Sequence, residues 1–183
     1  MASRAFPAPL ALLPNALTVL RLALIPIFVV VLLGADNGTS WAAGIVFAVA
    51  GVTDQVDGWL ARRWRVESQF GKLADPLADR LMIDAAVILL WLDDKVPWYG
   101  AAIIVLRDVI LVGGYKLLVP RDYELNVSAL GKVATWILYA SLALLIVTSE
   151  SAEWPLWLFW IGLGLAVLAG VQYVVRARRE VTA

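Results

Sequence analysis

The stretch Asp54-Gln-Val-Asp57-Gly58-Trp-Leu-Ala61-Arg62, followed after eight residues by Gly71-Lys-Leu-Ala-Asp75-Pro-Leu-Ala-Asp79, sets four carboxylates at fixed intervals in a chain that is otherwise mostly apolar. If Asp54 and Asp57 occupy the last turn of a helix, their i, i+3 spacing puts both on one face. Asp75 and Asp79, at i, i+4, do the same on the next helix. Two carboxylate pairs can then converge on one spot. Like charges that close repel strongly where water is scarce, so positive charge must lie between them, and divalent cations with oxygen ligands supply it.

Composition defines the surroundings of that spot. The 183 residues are 62% hydrophobic, with nine Trp and neither Cys nor His, and the mean hydropathy is +0.82. A soluble domain of this size carries more charge. Without Cys there is no disulfide framework, thiolate chemistry or Cys-based metal site. Without His, proton transfer near neutral pH falls to a carboxylate, a Lys, a Tyr or bound water.

Apolar runs long enough to cross about 30 Å of hydrocarbon recur along the chain. They predict an all-α integral membrane bundle of six transmembrane helices, at 17–33, 41–60, 75–92, 98–119, 131–147 and 155–175. The bundle, 15–175, forms a single membrane domain, preceded by a Pro-rich interfacial segment at 1–14 and followed by a basic cytoplasmic tail at 176–183. The first apolar run continues too far for a signal peptide and lacks a small-residue cleavage site, so it is expected to be retained.

Charge asymmetry orients the bundle. One side receives Arg4, then Arg62, Arg63, Arg65 and Lys72, then Lys116, Arg121 and Lys132, then Arg176, Arg178 and Arg179. The other receives Asp36, Asp93, Asp94, Glu150 and Glu153 with only Lys95. Basic residues accumulate on the cytoplasmic side, so both termini and the Asp cluster are expected there. Trp41, Trp91, Trp98, Trp154, Trp157 and Trp160 fall near the opposite ends, as an aromatic belt does. Ionisable residues at membrane depth point to a functional site. The bland alternative is that the four acids pair with Arg62, Arg63, Lys72 and Arg80 as salt bridges.

The register D-x2-D-G-x2-A-R-x8-G-x3-D-x3-D resembles the signature of the CDP-alcohol phosphotransferase family, with all eight fixed positions present: Asp54, Asp57, Gly58, Ala61, Arg62, Gly71, Asp75 and Asp79. That resemblance implies the six-helix CDP-alcohol phosphotransferase fold, usually a homodimer, binding two divalent cations, Mg2+ or Mn2+, that hold CDP-diacylglycerol. It further implies that Asp54, Asp57 and Asp75 are metal ligands. Asp79 takes metal or acts as the catalytic base on the acceptor hydroxyl. Gly58, Ala61, Arg62 and Gly71 match the nucleotide-binding positions. Partners are then CDP-diacylglycerol, an acceptor alcohol and membrane lipids, and no nucleic acid is expected.

Features outside the motif bear on the acceptor. Pro14-Asn15-Ala-Leu17-Thr18-Val-Leu-Arg21 resembles the opening of the glycerophosphate and cardiolipin branches, which makes Asn15, Thr18 and Arg21 candidates for pyrophosphate or acceptor binding. The alternative is an N-cap Asn and a snorkelling Arg. Phosphatidylglycerophosphate synthases usually carry Arg-Glu in the fourth span and Gly-Lys-x-Lys-Thr before the fifth. Here the residues are Arg107-Asp108 and Gly131-Lys132-Val-Ala134-Thr135, closer to the CMP-forming cardiolipin synthases. Loss of the second lysine to Ala134 weakens a site for dianionic glycerol 3-phosphate, so phosphatidylglycerol is the leading acceptor and glycerol 3-phosphate the runner-up. Adjacent residues on a helix do not share a face, so Arg107 is expected to enter the acceptor pocket while Asp108 pairs elsewhere with a basic residue; the alternative is that the two form a structural pair inside the bundle. Lys132 is a phosphate-binding candidate. Arg80 could face either the pocket or lipid head groups. Gly162, Gly164 and Gly170 read as close helix packing or dimer contacts. A reading from another class, a small transporter using the acids as an ion or proton relay, accounts for the carboxylates but not for the Gly, Ala and Arg positions.

Overall fold

The computed structural model describes residues 13–64, 69–118, 129–149 and 152–181, and among them every regular element is helical. Six helices follow in order: α1 (Leu13–Leu33), α2 (Trp41–Trp64), α3 (Gln69–Leu92), α4 (Trp98–Leu118), α5 (Ala129–Val147) and α6 (Trp154–Val181), with one 3-10 turn at Asp36–Gly38. The expected interfacial segment lies, up to residue 12, outside the described residues. Leu13 and Pro14 already belong to α1.

The helices pack around one core. α1 lies against α2 and α3, α2 against α5, α3 against α4, and α5 most extensively against α6. Buried side chains recur at helical spacing, as Phe28 and Leu32 on α1 and Ala43, Phe47 and Ala50 on α2. Phe28, Phe47 and Tyr139 form an aromatic column through α1, α2 and α5, with centroids 5.5 and 5.0 Å apart. At Gly162 a Cβ would come within 3.1 Å of the Leu138 backbone nitrogen, so glycine lets α6 approach α5 closely. Gly164 and Gly170 meet nothing within 4 Å.

Among the described residues, three helices are long and apolar enough to cross a membrane, at 16–33, 129–147 and 154–172, while α2 has a shorter apolar stretch at 41–53. In α2, α3 and α4 the sequence interrupts the apolar run with ionisable residues: Asp54, Asp57, Arg62 and Arg63; Lys72, Asp75, Asp79, Arg80 and Asp84; and Arg107 and Asp108. These helices therefore depend on their neighbours to shield polar groups.

The expected spans agree with the helices at the end that carries the Trp residues, where Leu33, Trp41, Leu92, Trp98 and Val147 are boundaries in both. That end is built by local stop signals. The Ser40 hydroxyl caps α2 by accepting from the Ala43 amide at 3.1 Å. α3 stops in a Schellman arrangement, with Lys95 N–H on Leu90 O, Asp94 N–H on Trp91 O, and Asp94 itself at φ 58. Trp41, Trp98, Trp154 and Trp157 are well exposed there. Trp160 is half-buried and stacks on Tyr99 at 5.4 Å, so it packs more than it anchors. At the other end the helices outrun the expectation. α2 continues past Leu60 to Trp64, α3 begins at Gln69 rather than Asp75, and α6 runs to Val181, so the expected basic tail at Arg176, Arg178 and Arg179 is helical.

Candidate active site

The four motif carboxylates lie inside their helices, not at the ends. Asp54 is ten residues before the last residue of α2 and Asp79 ten residues after the first of α3, while Asp57 and Asp75 are seven and six residues from those same ends. The connection at 65–68 is short and α3 packs back against α2, so the two pairs sit at matching depth, one to three turns in from the loop. The expectation of a last-turn position for Asp54 and Asp57 is corrected accordingly: nothing in Gly58 to Trp64 stops a helix. The side chains of Asp54, Asp57, Gly58, Ala61, Arg62, Gly71, Asp75 and Asp79 lie outside the described residues. Their hard oxygen donor set is nevertheless the chemistry that suits Mg2+ or Mn2+.

α1 turns its polar positions inward. Thr18 and Arg21 are buried, on the stripe that continues to Phe28 and Leu32. Arg21 is therefore no snorkelling side chain, and the bland reading of it is overturned. Asn15 lies within α1 rather than ahead of it, which argues against an N-cap role; its side chain is outside the described ones.

Between α3 and α4 the bundle gathers four charges. Asp108, with 3% of its side chain exposed, takes two hydrogen bonds, from Arg80 Nη1 at 2.5 Å and Arg107 Nε at 2.7 Å, and one further ion-pair contact, with Arg107 Nη2 at 2.6 Å, all on a single oxygen, Oδ1. Asp84, one helical turn beyond Arg80, is within electrostatic reach of Asp108, Arg107 and Arg80. Asp108 thus has the basic partner expected of it, in Arg80, while Arg107 follows the alternative of a structural pair with Asp108. The arginine stem is long enough to fold the guanidinium back onto the neighbouring carboxylate, and in a dry setting the attraction is strong. It also places Arg80, whose side chain is 28% exposed, on Asp108 rather than on lipid head groups alone. Asp84 was not among the residues singled out from the sequence, although a carboxylate in the apolar part of a span is itself a signal.

Lys132 is exposed on the first turns of α5 and forms no hydrogen bond or ion pair with the described residues. Thr135 donates locally to Gly131 O at 3.0 Å, and Ala134 is buried in the core.

At the far end a second polar cluster surrounds Lys95, which the sequence marked only as the lone cation among acids. Its ammonium is buried and reaches Gly38 O at 3.0 Å, Thr39 Oγ1 at 2.7 Å, Leu145 O at 2.9 Å and Thr148 O at 2.9 Å. It thus ties the α1–α2 turn to the end of α5. A cavity of about 520 Å³ lined in part by Asp93, Asp94, Lys95 and Glu153 opens there. It is at the opposite end of α3 from the motif, so its size does not make it the reaction site.

A family model described as CDP-alcohol phosphatidyltransferase matches residues 11–168. The chain is 32% identical over 178 residues to the CDP-diacylglycerol–glycerol-3-phosphate 3-phosphatidyltransferase of Bacillus subtilis, covering 88% of this chain and 92% of the relative. It is 34% identical over 190 residues to the cardiolipin synthase (CMP-forming) of Streptomyces coelicolor, with 93% and 85% covered. To a probable phosphatidylglycerophosphate synthase of Mycobacterium tuberculosis it is 32% identical over 182 residues, with 95% and 85% covered.

Proposed function

The chain belongs to the CDP-alcohol phosphatidyltransferase family, and from that premise we propose that it transfers the phosphatidyl group of CDP-diacylglycerol to a glycerol-bearing phosphate acceptor at the cytoplasmic face of a bacterial inner membrane. The acceptor hydroxyl oxygen forms a bond to the phosphatidyl phosphorus, the bond from that phosphorus to CMP breaks, and the hydroxyl proton passes to Asp79. The observation that carries the reading is the motif itself, set on adjoining helices at matching depth. A relay for ions has no use for its glycines, Ala61 and Arg62.

Asp54, Asp57 and Asp75 would hold two divalent cations, Mg2+ or Mn2+, whose charge neutralises the pyrophosphate and stabilises CMP as it leaves, with Asp79 kept as the base. Gly58, Ala61 and Gly71 leave room for the nucleotide to approach the backbone, and Arg62 offers it a cation. Inward-facing Thr18 and Arg21, with Asn15, lie on the helix that packs beside both motif helices.

All six helices span the membrane in this reading, with both termini cytoplasmic, as one domain that assembles as a homodimer. Each helix presents large apolar side chains outward, including Val30 on α1, Val52 on α2, Ile88 on α3, Leu106 on α4, Trp136 on α5 and Ile161 on α6. Such a surface suits lipid on every side.

Phosphatidylglycerol is the leading acceptor. Ala134 is buried among apolar side chains, leaving Lys132 as the cation at that mouth of α5, and a lipid with a single phosphodiester charge needs fewer cations than glycerol 3-phosphate. The second reading, glycerol 3-phosphate, draws on the names of the Bacillus and Mycobacterium relatives. Purified protein given CDP-diacylglycerol, Mg2+ or Mn2+ and both acceptors in competition is expected to release CMP and form mainly cardiolipin. Phosphatidylglycerophosphate as the main product would reverse the order of acceptors, and no CMP with any alcohol would sink the proposal.

A further inference from the structure

The Arg80–Asp108–Arg107 cluster is unevenly satisfied. Both hydrogen bonds and the ion-pair contact that reach Asp108 converge on Oδ1, while its Oδ2 is buried and accepts from no donor among the described residues. Oδ1 of Asp84 is buried without a partner in the same way. A carboxylate has about four acceptor positions, and leaving buried ones empty is costly unless something fills them during the working cycle. Natural bundles tolerate such orphans mainly where a ligand or water supplies the missing donor.

The cluster also narrows the kind of donor. Two guanidinium groups face two carboxylates, so the local formal charge is balanced and offers little net pull on an ammonium group. A neutral hydroxyl fits better. The guanidinium groups are not exhausted either. Among the described residues Arg80 engages Nη1 and Arg107 engages Nε and Nη2, which leaves N–H groups of both for a phosphate oxygen. Acceptor oxygens beside cationic donors are complementary to a molecule carrying a hydroxyl close to a phosphate.

We propose that Asp108 Oδ2, with Asp84 Oδ1, receives the non-reacting hydroxyl of a glycerol-phosphate acceptor, so that this cluster selects alcohols whose reacting hydroxyl has a second hydroxyl on the adjoining carbon. The inference rests on the phosphatidyltransferase reading above and deepens it by naming the residues that recognise the acceptor. The same diol occurs in glycerol 3-phosphate and in the head group of phosphatidylglycerol, so the test has an arm for each source.

In the first arm, glycerol 3-phosphate is compared with 3-hydroxypropyl phosphate, which lacks only the middle hydroxyl. In the second, phosphatidylglycerol is compared with phosphatidyl-1,3-propanediol. CMP release is measured in mixed micelles with CDP-diacylglycerol and Mg2+. The full-length wild type is expected to prefer the diol by at least about tenfold in kcat/KM in the arm it uses, because a site that hydrogen-bonds a hydroxyl rejects the analogue lacking it. Asp108→Asn keeps a carbonyl for the two arginines but puts N–H groups where Oδ2 accepted, and Asp84→Ala removes an acceptor without breaking any hydrogen bond seen among the described residues. Both are expected to bring the ratio towards one, a change that a merely structural role would not produce. A wild type indifferent to the middle hydroxyl overturns the inference, as does a wild-type ratio preserved in both variants, even with CMP release intact. Failure of the wild type to release CMP with any of the four acceptors instead removes the phosphatidyltransferase reading, and this inference falls with it.

Discussion

Two buried polar clusters in this bundle are built from similar materials and differ in completeness. At the end that carries the exposed Trp residues, every donor of the Lys95 ammonium has an acceptor, shared among two backbone segments and a hydroxyl. In the Arg80–Asp108–Arg107 cluster, two hydrogen bonds and an ion pair crowd one carboxylate oxygen, and two other buried oxygens have no donor among the described residues. A saturated cluster can only hold the fold together, whereas an unsaturated one keeps capacity for a ligand. The motif carboxylates would extend the second pattern to its limit, four acids on two neighbouring helices, three of them cation ligands in the proposed reaction. The proposed chemistry and the Lys95 cluster thus lie towards opposite ends of α3, and mutations at the two ends should fail in different ways.

The largest expected effect is on the chemical side. Asp79→Asn removes the proposed proton acceptor while keeping the shape, so turnover should fall by roughly 10²–10⁴-fold, the usual worth of a positioned general base. CDP-diacylglycerol binding, followed by equilibrium titration in detergent, should change little. Asp57→Ala should differ by losing the metal-dependent part of that binding. Wild-type turnover in Asp79→Asn would remove Asp79 from the mechanism and blur the division between the ends.

Lys95→Met tests the other side of the comparison. It leaves Gly38 O, Leu145 O and Thr148 O without their charged donor. Hydrogen bonds to a charged group are each worth about 1.5–3 kcal/mol, and water at the membrane surface can replace some of them. A loss of about 2–4 kcal/mol is expected, read as a lower unfolding temperature in detergent. CMP release per folded molecule should remain near wild type. A variant that unfolds normally but transfers poorly would show that the Lys95 cluster takes part in function.

Gly38→Ala should reproduce that behaviour on a smaller scale. Gly38 has φ +59, and a Cβ there would stand 2.5 Å from Asp93 Oδ2. Backbone strain of this kind costs about 1–3 kcal/mol, and Asp93 must also shift. If the thermal midpoint is unchanged, the α1–α2 turn is not part of what Lys95 secures.

The two ends also differ in how much of them could be read without coordinates. Helix boundaries at Leu33, Trp41, Leu92 and Trp98 were legible because hydropathy drops there together with local stop signals: the Ser40 cap, Asp93-Asp94 and Pro97. The boundaries at the motif end were placed short, at Leu60 and Asp75, because helix continues through polar sequence that carries no apolar period and contains no evident stop. For the site the order is reversed. The motif is local, eight positions in one register, so its residues could be named directly. The partners of Asp108 and of Lys95 are 28 to 57 residues away in sequence, except for Arg107. Only packing brings them together. Intramembrane Asp84 was visible as a residue but not as a member of a cluster.

Lys132 offers the smallest effect and the finest test of the motif end. It is exposed and pairs with none of the described residues, so its attraction for a phosphate is screened by water and contributes at most about 1 kcal/mol. Lys132→Gln should therefore raise the acceptor KM by only about two- to fivefold, with kcat nearly constant. The size of the effect depends on the acceptor's charge. Dianionic glycerol 3-phosphate should lose more than phosphatidylglycerol, whose acyl chains hold it in the bilayer whether or not the lysine is present. Added salt should shrink the difference between wild type and variant, because an exposed charge acts through a screened field. A KM unchanged for both acceptors would make Lys132 a marker of topology, like the arginines of α6, and would leave acceptor recognition to the buried cluster between α3 and α4.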